Sequence, residues 1–173
     1  MPRARDQALA RRASLRAEDF PAGWQGVDSP DPFFPCPGFQ PDLSKLTVGG
    51  EASSLVFFAL DESAVAWSAT EVYASVEQAR TAFERTATIA APRCVAKENQ
   101  GDGTTIVSVG ARTFERVGDT SRAFRIVVTD SEGTGYVDLV YVRRGRTLMR
   151  FAGLGDLFPL ETTLVKAVAA RAH

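Results

Sequence analysis

Apolar and polar positions change period several times along the chain, and each change marks an element. Residues 3 to 17 are dominated by Ala and Arg, both good helix formers, and Ala8, Leu9, Ala13 and Leu15 give a partial apolar face. This predicts an N-terminal helix within residues 1–18. Phe20-Pro21 ends it, because the residue before a proline is driven out of the α region. The stretch 25–48 follows, with five prolines from Pro30 to Pro41, so it is neither regular helix nor central strand. Phe33, Phe34 and Phe39 within it predict a loop packed on the domain by its rings rather than a free linker.

From Gly49 short extended runs take over. Ser54–Leu60 is an almost continuous apolar strand. Ala64–Tyr73 is a second, with Val65, Trp67 and Ala69 on one side, and Asp61-Glu62-Ser63 between them is turn chemistry. The apolar period then lengthens: Val76, Ala79, Phe83, Thr86, Ala87 and Ala90 share a helical face. Ser75 and Gln78 have the spacing of a capping box, and Pro92 is expected to close this helix just before Cys94. A strand meander follows. Thr104–Val117 places Val107, Val109, Ala111 and Thr113 on one face, and Arg122–Thr129 sets Phe124, Ile126 and Val128 against Arg125 and Thr129. Tyr136–Arg144 and Arg146–Gly153 flank a tight turn at Arg144-Gly145. Asp156 is expected to cap a last helix, with Pro159 in its first turn and Leu160, Leu164, Val165, Val168 and Ala169 as its buried stripe. Strands joined by short turns pair antiparallel. The expected fold is α+β: a single domain, residues 1–173, with an antiparallel sheet of about six strands and helices on one face or at its ends.

Composition narrows the chemistry. Lys+Arg 20 against Asp+Glu 21 leaves a net charge of −1, which gives no push toward nucleic acid or an anionic membrane. The longest dense apolar run, Leu55–Leu60, is strand-sized, well short of the roughly 18 residues of a spanning helix. Cys36 and Cys94, few, even in number and far apart, fit one structural disulfide of an exported protein; the alternative is two unrelated buried thiols. There is no CxxC for a redox pair or zinc knuckle. The N-terminus carries Arg3, Arg5, Arg11, Arg12 and Arg16 without an apolar signal region. Three readings stay open: Met1 stands where a signal or anchor was removed, the protein is cytoplasmic, or the segment is a basic arm. The cysteines favour an extracytoplasmic protein whose signal or anchor is absent from this chain.

The lone histidine, His173, is the last residue, so Ser–His and Cys–His catalysis have no anchored base, and no Gly-x-Ser-x-Gly is present. It lies beyond the last apolar position of the final helix and is expected out of reach of any cavity wall. Gly101-Asp102-Gly103-Thr104 and Gly153-Leu154-Gly155 match neither phosphate-loop pattern. The acidic turns Asp28/Asp31, Asp61/Glu62 and Asp130-Ser131-Glu132 lack the ligand spacing of a calcium loop. Glu71 and Asp138 sit inside strands and are expected to face solvent. No catalytic residue, metal or cofactor is therefore expected. Arg143, Arg144, Arg146 and Arg150 cluster about one hairpin. They read either as a docking patch for an acidic partner or lipid headgroup, or as an edge guarded by charge against aggregation.

Asp19-Phe20-Pro21-Ala22-Gly23-Trp24 follows the first helix, and Cys36 comes next. Then come Gly49-Gly50-Glu51-Ala52-Ser53-Ser54 entering a strand, Ala79–Phe83 on a helix, Cys94, and Val142-Arg143-Arg144-Gly145. Together, over residues 15 to 172, these pieces resemble exported actinobacterial proteins, namely secreted lipoproteins and the extracellular sensor domains of mycobacterial serine/threonine kinases. The arrangement also looks PsbP/Mog1-like, with helices packed on a twisted antiparallel sheet. The resemblance implies a non-catalytic binding or sensor module with a cleft on the concave side of the sheet. The kinase sensor domains carry more than one disulfide, whereas this chain has cysteines for one, and it has no lipobox cysteine. In such a cleft Phe57, Phe58, Trp67, Tyr73, Phe124 and Tyr141 are the candidates to line a site. The expected ligand is a small apolar molecule or a cell-envelope component, bound by a monomer. The alternatives are a protein–protein interaction module docking through the arginine hairpin, and a carboxylate-based enzyme.

Overall fold

Four helices and eight strands make up the computed structural model, which describes residues 3–28, 36–61, 63–101, 103–155 and 160–173. The strands are β1 (Trp24–Val27), β2 (Val48–Ser53), β3 (Val56–Ala59), β4 (Ala64–Tyr73), β5 (Thr105–Arg112), β6 (Thr120–Thr129), β7 (Thr134–Arg144) and β8 (Thr147–Gly155). The helices are α1 (Ala4–Arg12), α2 (Val76–Thr86), α3 (Ala90–Glu98) and α4 (Leu160–Ala170), with a 3-10 turn at Ala17–Asp19. All strands join one antiparallel sheet in the order β1-β3-β4-β8-β7-β6-β5, with β2 also on β4. The sheet thus has eight strands where about six were expected. β1 arises at the start of the stretch expected to be loop. β2 and β3 are one long arm along β4: the pairing runs from Ser53↔Ala69 to Phe57↔Ala66, a slip of one residue at Ser54-Leu55.

β2 is hard to read because Gly49-Gly50 breaks its side-chain pattern, yet those glycines seat α1. A Cβ on Gly50 would overlap the backbone of Asp6 and Gln7. Arg3 N donates to Gly49 O at 2.7 Å. The Gln7 amide accepts from Glu51 N at 3.2 Å and donates to Glu51 O, standing in for a strand edge. We expect Gly50→Ala to lower unfolding free energy by about 3 kcal/mol, because the clash is with backbone that cannot rotate away. Urea unfolding measures it; a loss below about 1 kcal/mol would show that α1 is free to shift.

Helices cover both faces of the sheet rather than one. Along β7, Val140 and Val142 point to a face covered by α4, Ala13 and Leu15, while Leu139 and Tyr141 point to a face covered by α2 and α3. Ala66 beside Trp67, and Met149 beside Leu148, repeat the division. Central strands apolar on both sides require two covers. Of the last helix, Leu164, Val165, Val168 and Ala169 are buried and Leu160 packs beside them. Asp156 and Pro159 lie outside the described residues, as do Asp31, Phe33, Phe34 and Glu62.

Ser75 Oγ caps α2, accepting from Gln78 N at 3.2 Å. The expected box is half made: Gln78 Oε1 turns to Thr47 N at 2.8 Å. Pro92 does not close α2. It sits in the first turn of α3, where its missing N–H has no partner to lose. In β5 a register shift between Ile106 and Ser108 throws Val107 to solvent, 60% exposed, so the expected face of Val107, Val109, Ala111 and Thr113 is broken.

Asp138 does not face solvent. It is 3% exposed and takes two hydrogen bonds from Arg125, at 2.7 and 2.6 Å. Arg112 Nε lies 3.4 Å from the same carboxylate, and Arg112 Nη2 reaches Glu161, buried in the first turn of α4. A four-residue ion network thus fastens α4 to β5, β6 and β7. At the other end, Arg171 joins Asp19 at 2.6 Å and donates to Arg12 O at 2.9 Å, while Arg12 Nε donates to Arg171 O at 3.2 Å. This exchange latches the first helix to the last. No described helix is long and apolar enough to cross a membrane.

Candidate functional site

Residues 36–47 cross the α2/α3 face of the sheet as a strap. Cys36 is disulfide-bonded to Cys94 of α3, with a Cα–Cα distance of 5.9 Å. Phe39, Leu43 and Leu46 pack against the core of this face. Arg85 holds the carbonyl of Asp42, and Gln78 holds Thr47. Between strap, helices and sheet lies a cavity of about 250 Å³. Phe39, Pro41 and Leu43 roof it, Ala91 and Val95 of α3 wall it, and Leu139, Tyr141 and Arg150 floor it.

The floor supplies the polar groups. Tyr141 and Arg150 are directly opposed on β7 and β8. Arg150 Nη2 donates to Glu71 Oε1 at 2.8 Å, and the Tyr73 hydroxyl donates to Glu71 Oε2 at 2.6 Å. Glu71 is therefore engaged, not a solvated strand acid. Burial pushes the Tyr141 phenol up to about 12 against the pull of Arg150. Burial first, and Glu71 second, pushes the Tyr73 phenol up as well. Both stay neutral hydroxyls at ordinary pH. The cavity thus offers apolar surface, one neutral phenol and one guanidinium already joined to a carboxylate.

Of the six aromatic candidates, Tyr141 alone lines this cavity. Trp67, Tyr73 and Phe124 are buried in the core of the same face, with Phe124 edge-on to Tyr141 at 6.1 Å. Phe57 lies on the opposite face, 2% exposed and stacked on Phe20 at 4.4 Å. Phe58 is half-buried on β3, paired with Gln25. Of the strap and α3, Phe39 was expected to pack the loop on the domain and Cys36 and Cys94 to pair, whereas Leu43, Ala91 and Val95 were not singled out; the signal for the strap was Phe39, Leu43 and Leu46 following Cys36 at short intervals.

The arginine hairpin is engaged within the chain. Arg143 meets Asp119 at 2.8 Å, Arg150 meets Glu71, and Arg144 donates to Ala169 O at 2.9 Å. Arg146 joins Asp6 and Tyr73 O, each at 2.8 Å. Arg144 and Arg146 also line a second cavity, and His173 stands in its wall, contrary to expectation. Glu71 and Asp138 belong to opposite faces, so they share no cavity. Asp61 and Asp130 accept hydrogen bonds from Ser63 and from Glu132 and Gly133, as turn acids do. Among the described residues no three of His, Cys, Asp and Glu gather as a metal-binding set. Gly153-Leu154-Gly155 is the end of β8, and a Cβ on Gly155 would overlap Ser63 O.

No family model matches the sequence, and no curated protein matches it. Among solved structures the chain is similar to the extracellular domain of PknH from Mycobacterium tuberculosis, with a TM-score of 0.58 at 12% identity, over 99% of this chain and 95% of that chain. At this identity the likeness concerns the fold: helices on an antiparallel α+β sheet.

Proposed function

We propose that this chain is a non-catalytic, extracytoplasmic binding or sensor domain that holds a small, largely apolar ligand under the Cys36–Cys94 strap. The observation that carries the reading is the cavity itself. Close-packed interiors leave few voids larger than a water, and this one, at about 250 Å³, is just below the range of roughly 300–1,000 Å³ usual for ligand sites. Its walls are apolar, and a single phenol and the Arg150 edge would orient one polar group of the ligand. The disulfide supports the compartment, since such bonds persist where the surroundings are oxidising. The fold likeness to a domain described as extracellular points the same way.

Native mass spectrometry of the protein purified from its own host tests the reading. A low-mass adduct is expected on the wild type and is expected to vanish in Val95→Trp, whose indole fills the cavity while the disulfide stays formed. Nuclear magnetic resonance titration with indole and with hexanoate is expected to shift Leu43, Val95, Leu139 and Tyr141. A bare protein from the host, together with no shifts from either probe, overturns the proposal.

A further inference from the structure

The second cavity, about 660 Å³, lies between α1, the β7–β8 turn and the residues after α4. Arg5 and Arg12 enter from α1 and Arg144 and Arg146 from the turn, with Ala8 and Leu9 as apolar wall. Its one side-chain carboxylate is Asp6, which Arg146 takes at 2.8 Å. That hydrogen bond holds the Asp6 carboxyl below its usual range, so the pair stays closed on itself.

Of the other three guanidiniums, Arg5 and Arg144 meet no carboxylate among the described residues, and Arg12 meets the terminal oxygen of His173. Arg144 is held by Ala169 O, and Arg12 by the main-chain oxygens of Arg171 and His173. For Arg144 the Ala169 peptide oxygen orients the guanidinium without cancelling its charge, the end of α4 contributing about half a negative charge at most, whereas the carboxylate of His173 offsets Arg12. Arg5 has no hydrogen-bond or ion-pair partner among the described residues. Elsewhere Arg112, Arg122, Arg125, Arg143, Arg150 and Arg171 each sit on a carboxylate, while Arg85 and Arg116 reach main-chain oxygens singly and away from this cavity. In a chain whose net charge is −1, this is a local concentration of positive charge in a concave site.

We propose that this cavity binds a phosphoryl oxyanion, a phosphate monoester or diester group, between Arg5, Arg12 and Arg144. Arg144 spends one N–H on Ala169 and keeps donors in the planar fork that suits such oxygens. Arg12, fixed by Arg171 and His173, offers its remaining N–H donors, and Arg5, on the exposed side of α1, closes over the ligand. Ala8 and Leu9 would face the carbon portion. The site lies apart from the cavity under the strap and does not rest on that reading.

A soluble phosphate ester and a lipid headgroup present the same group, so the test has two arms on the full chain. One is calorimetric titration with inorganic phosphate and glycerol 3-phosphate. The other is co-flotation with phosphatidylglycerol-containing vesicles against pure phosphatidylcholine vesicles. The double variant Arg5→Gln/Arg144→Gln is expected to lose at least about tenfold in affinity in whichever arm binds. Arg93→Gln, an exposed arginine of α3, is expected to stay within about twofold. Arg5→Gln alone guards against a folding defect, because Arg5 is exposed and anchors nothing; it is expected to weaken binding with an unchanged melting curve. Binding of the soluble esters assigns a soluble ligand, and binding of the anionic vesicles alone assigns a headgroup. No binding in either arm at low salt, or equal loss in Arg93→Gln, overturns the proposal.

Discussion

Replacing both Cys36 and Cys94 with Ser is expected to lower the unfolding free energy by about 4 kcal/mol, the chain-entropy value for a cross-link of this span. The bond joins residues 58 apart, so the unfolded chain loses a large loop's freedom while it is closed. The native strap has other holds: Phe39, Leu43 and Leu46 in the core, and the bonds of Arg85 and Gln78. The sheet is therefore expected to survive, with the roof of the cavity loosened. Urea unfolding of the double variant, and of wild type with and without reductant, measures this. Reduced wild type should match the variant, and hydrogen exchange should rise first in residues 36–47. A loss under about 1 kcal/mol would mean that the apolar contacts alone fix the strap and that the unfolded chain is already compact.

Asp138→Ala is expected to cost about 3–5 kcal/mol, as for any buried ion pair stripped of one member. The change leaves Arg125 without its two charge-assisted bonds and removes the second acceptor near Arg112. Burial already lowers the Arg112 pKa, a sign that its charge sits in poorly solvated surroundings. Since Arg112 also holds Glu161, the first turn of α4 should exchange its amide protons faster. Asp138→Leu with Arg125→Leu should recover much of the loss, because two apolar side chains leave no buried charge unpaired. If Asp138→Ala alone were neutral, the network would contribute nothing to holding α4.

What could be read from the sequence was what alternation and short-range chemistry encode. β4, the β6–β8 meander, the Arg144-Gly145 turn, the Ser75 cap and the stripe of α4 all follow local rules, and the structure has them. The misses share another cause: a tertiary contact overrides the local signal. Gly49-Gly50 reads as a gap until α1 is seen lying on it. Pro92 reads as a stop, though it is equally suited to a first helical turn. Asp138 reads as a solvated acid until its neighbour across the ladder proves to be Arg125. Of the candidate site, the two cysteines were legible, and Tyr141 was named among six aromatics. Its roof comes from a strap whose path depends on the disulfide, and no periodicity in residues 36–47 records that path, nor that Ala91 and Val95 of α3 and Arg150 of β8 meet beneath it.

The exchange of hydrogen bonds between Arg12 and Arg171 also fixes where the chain leaves α4, beside the last turn of α1. Polypeptide fused after α4 would depart from the pole of the fold where the last turn of α1 lies. The mouth of the arginine-lined cavity, bounded by α1 and His173, opens at that same pole. Whatever is attached after α4 therefore stands next to that mouth and shares its field.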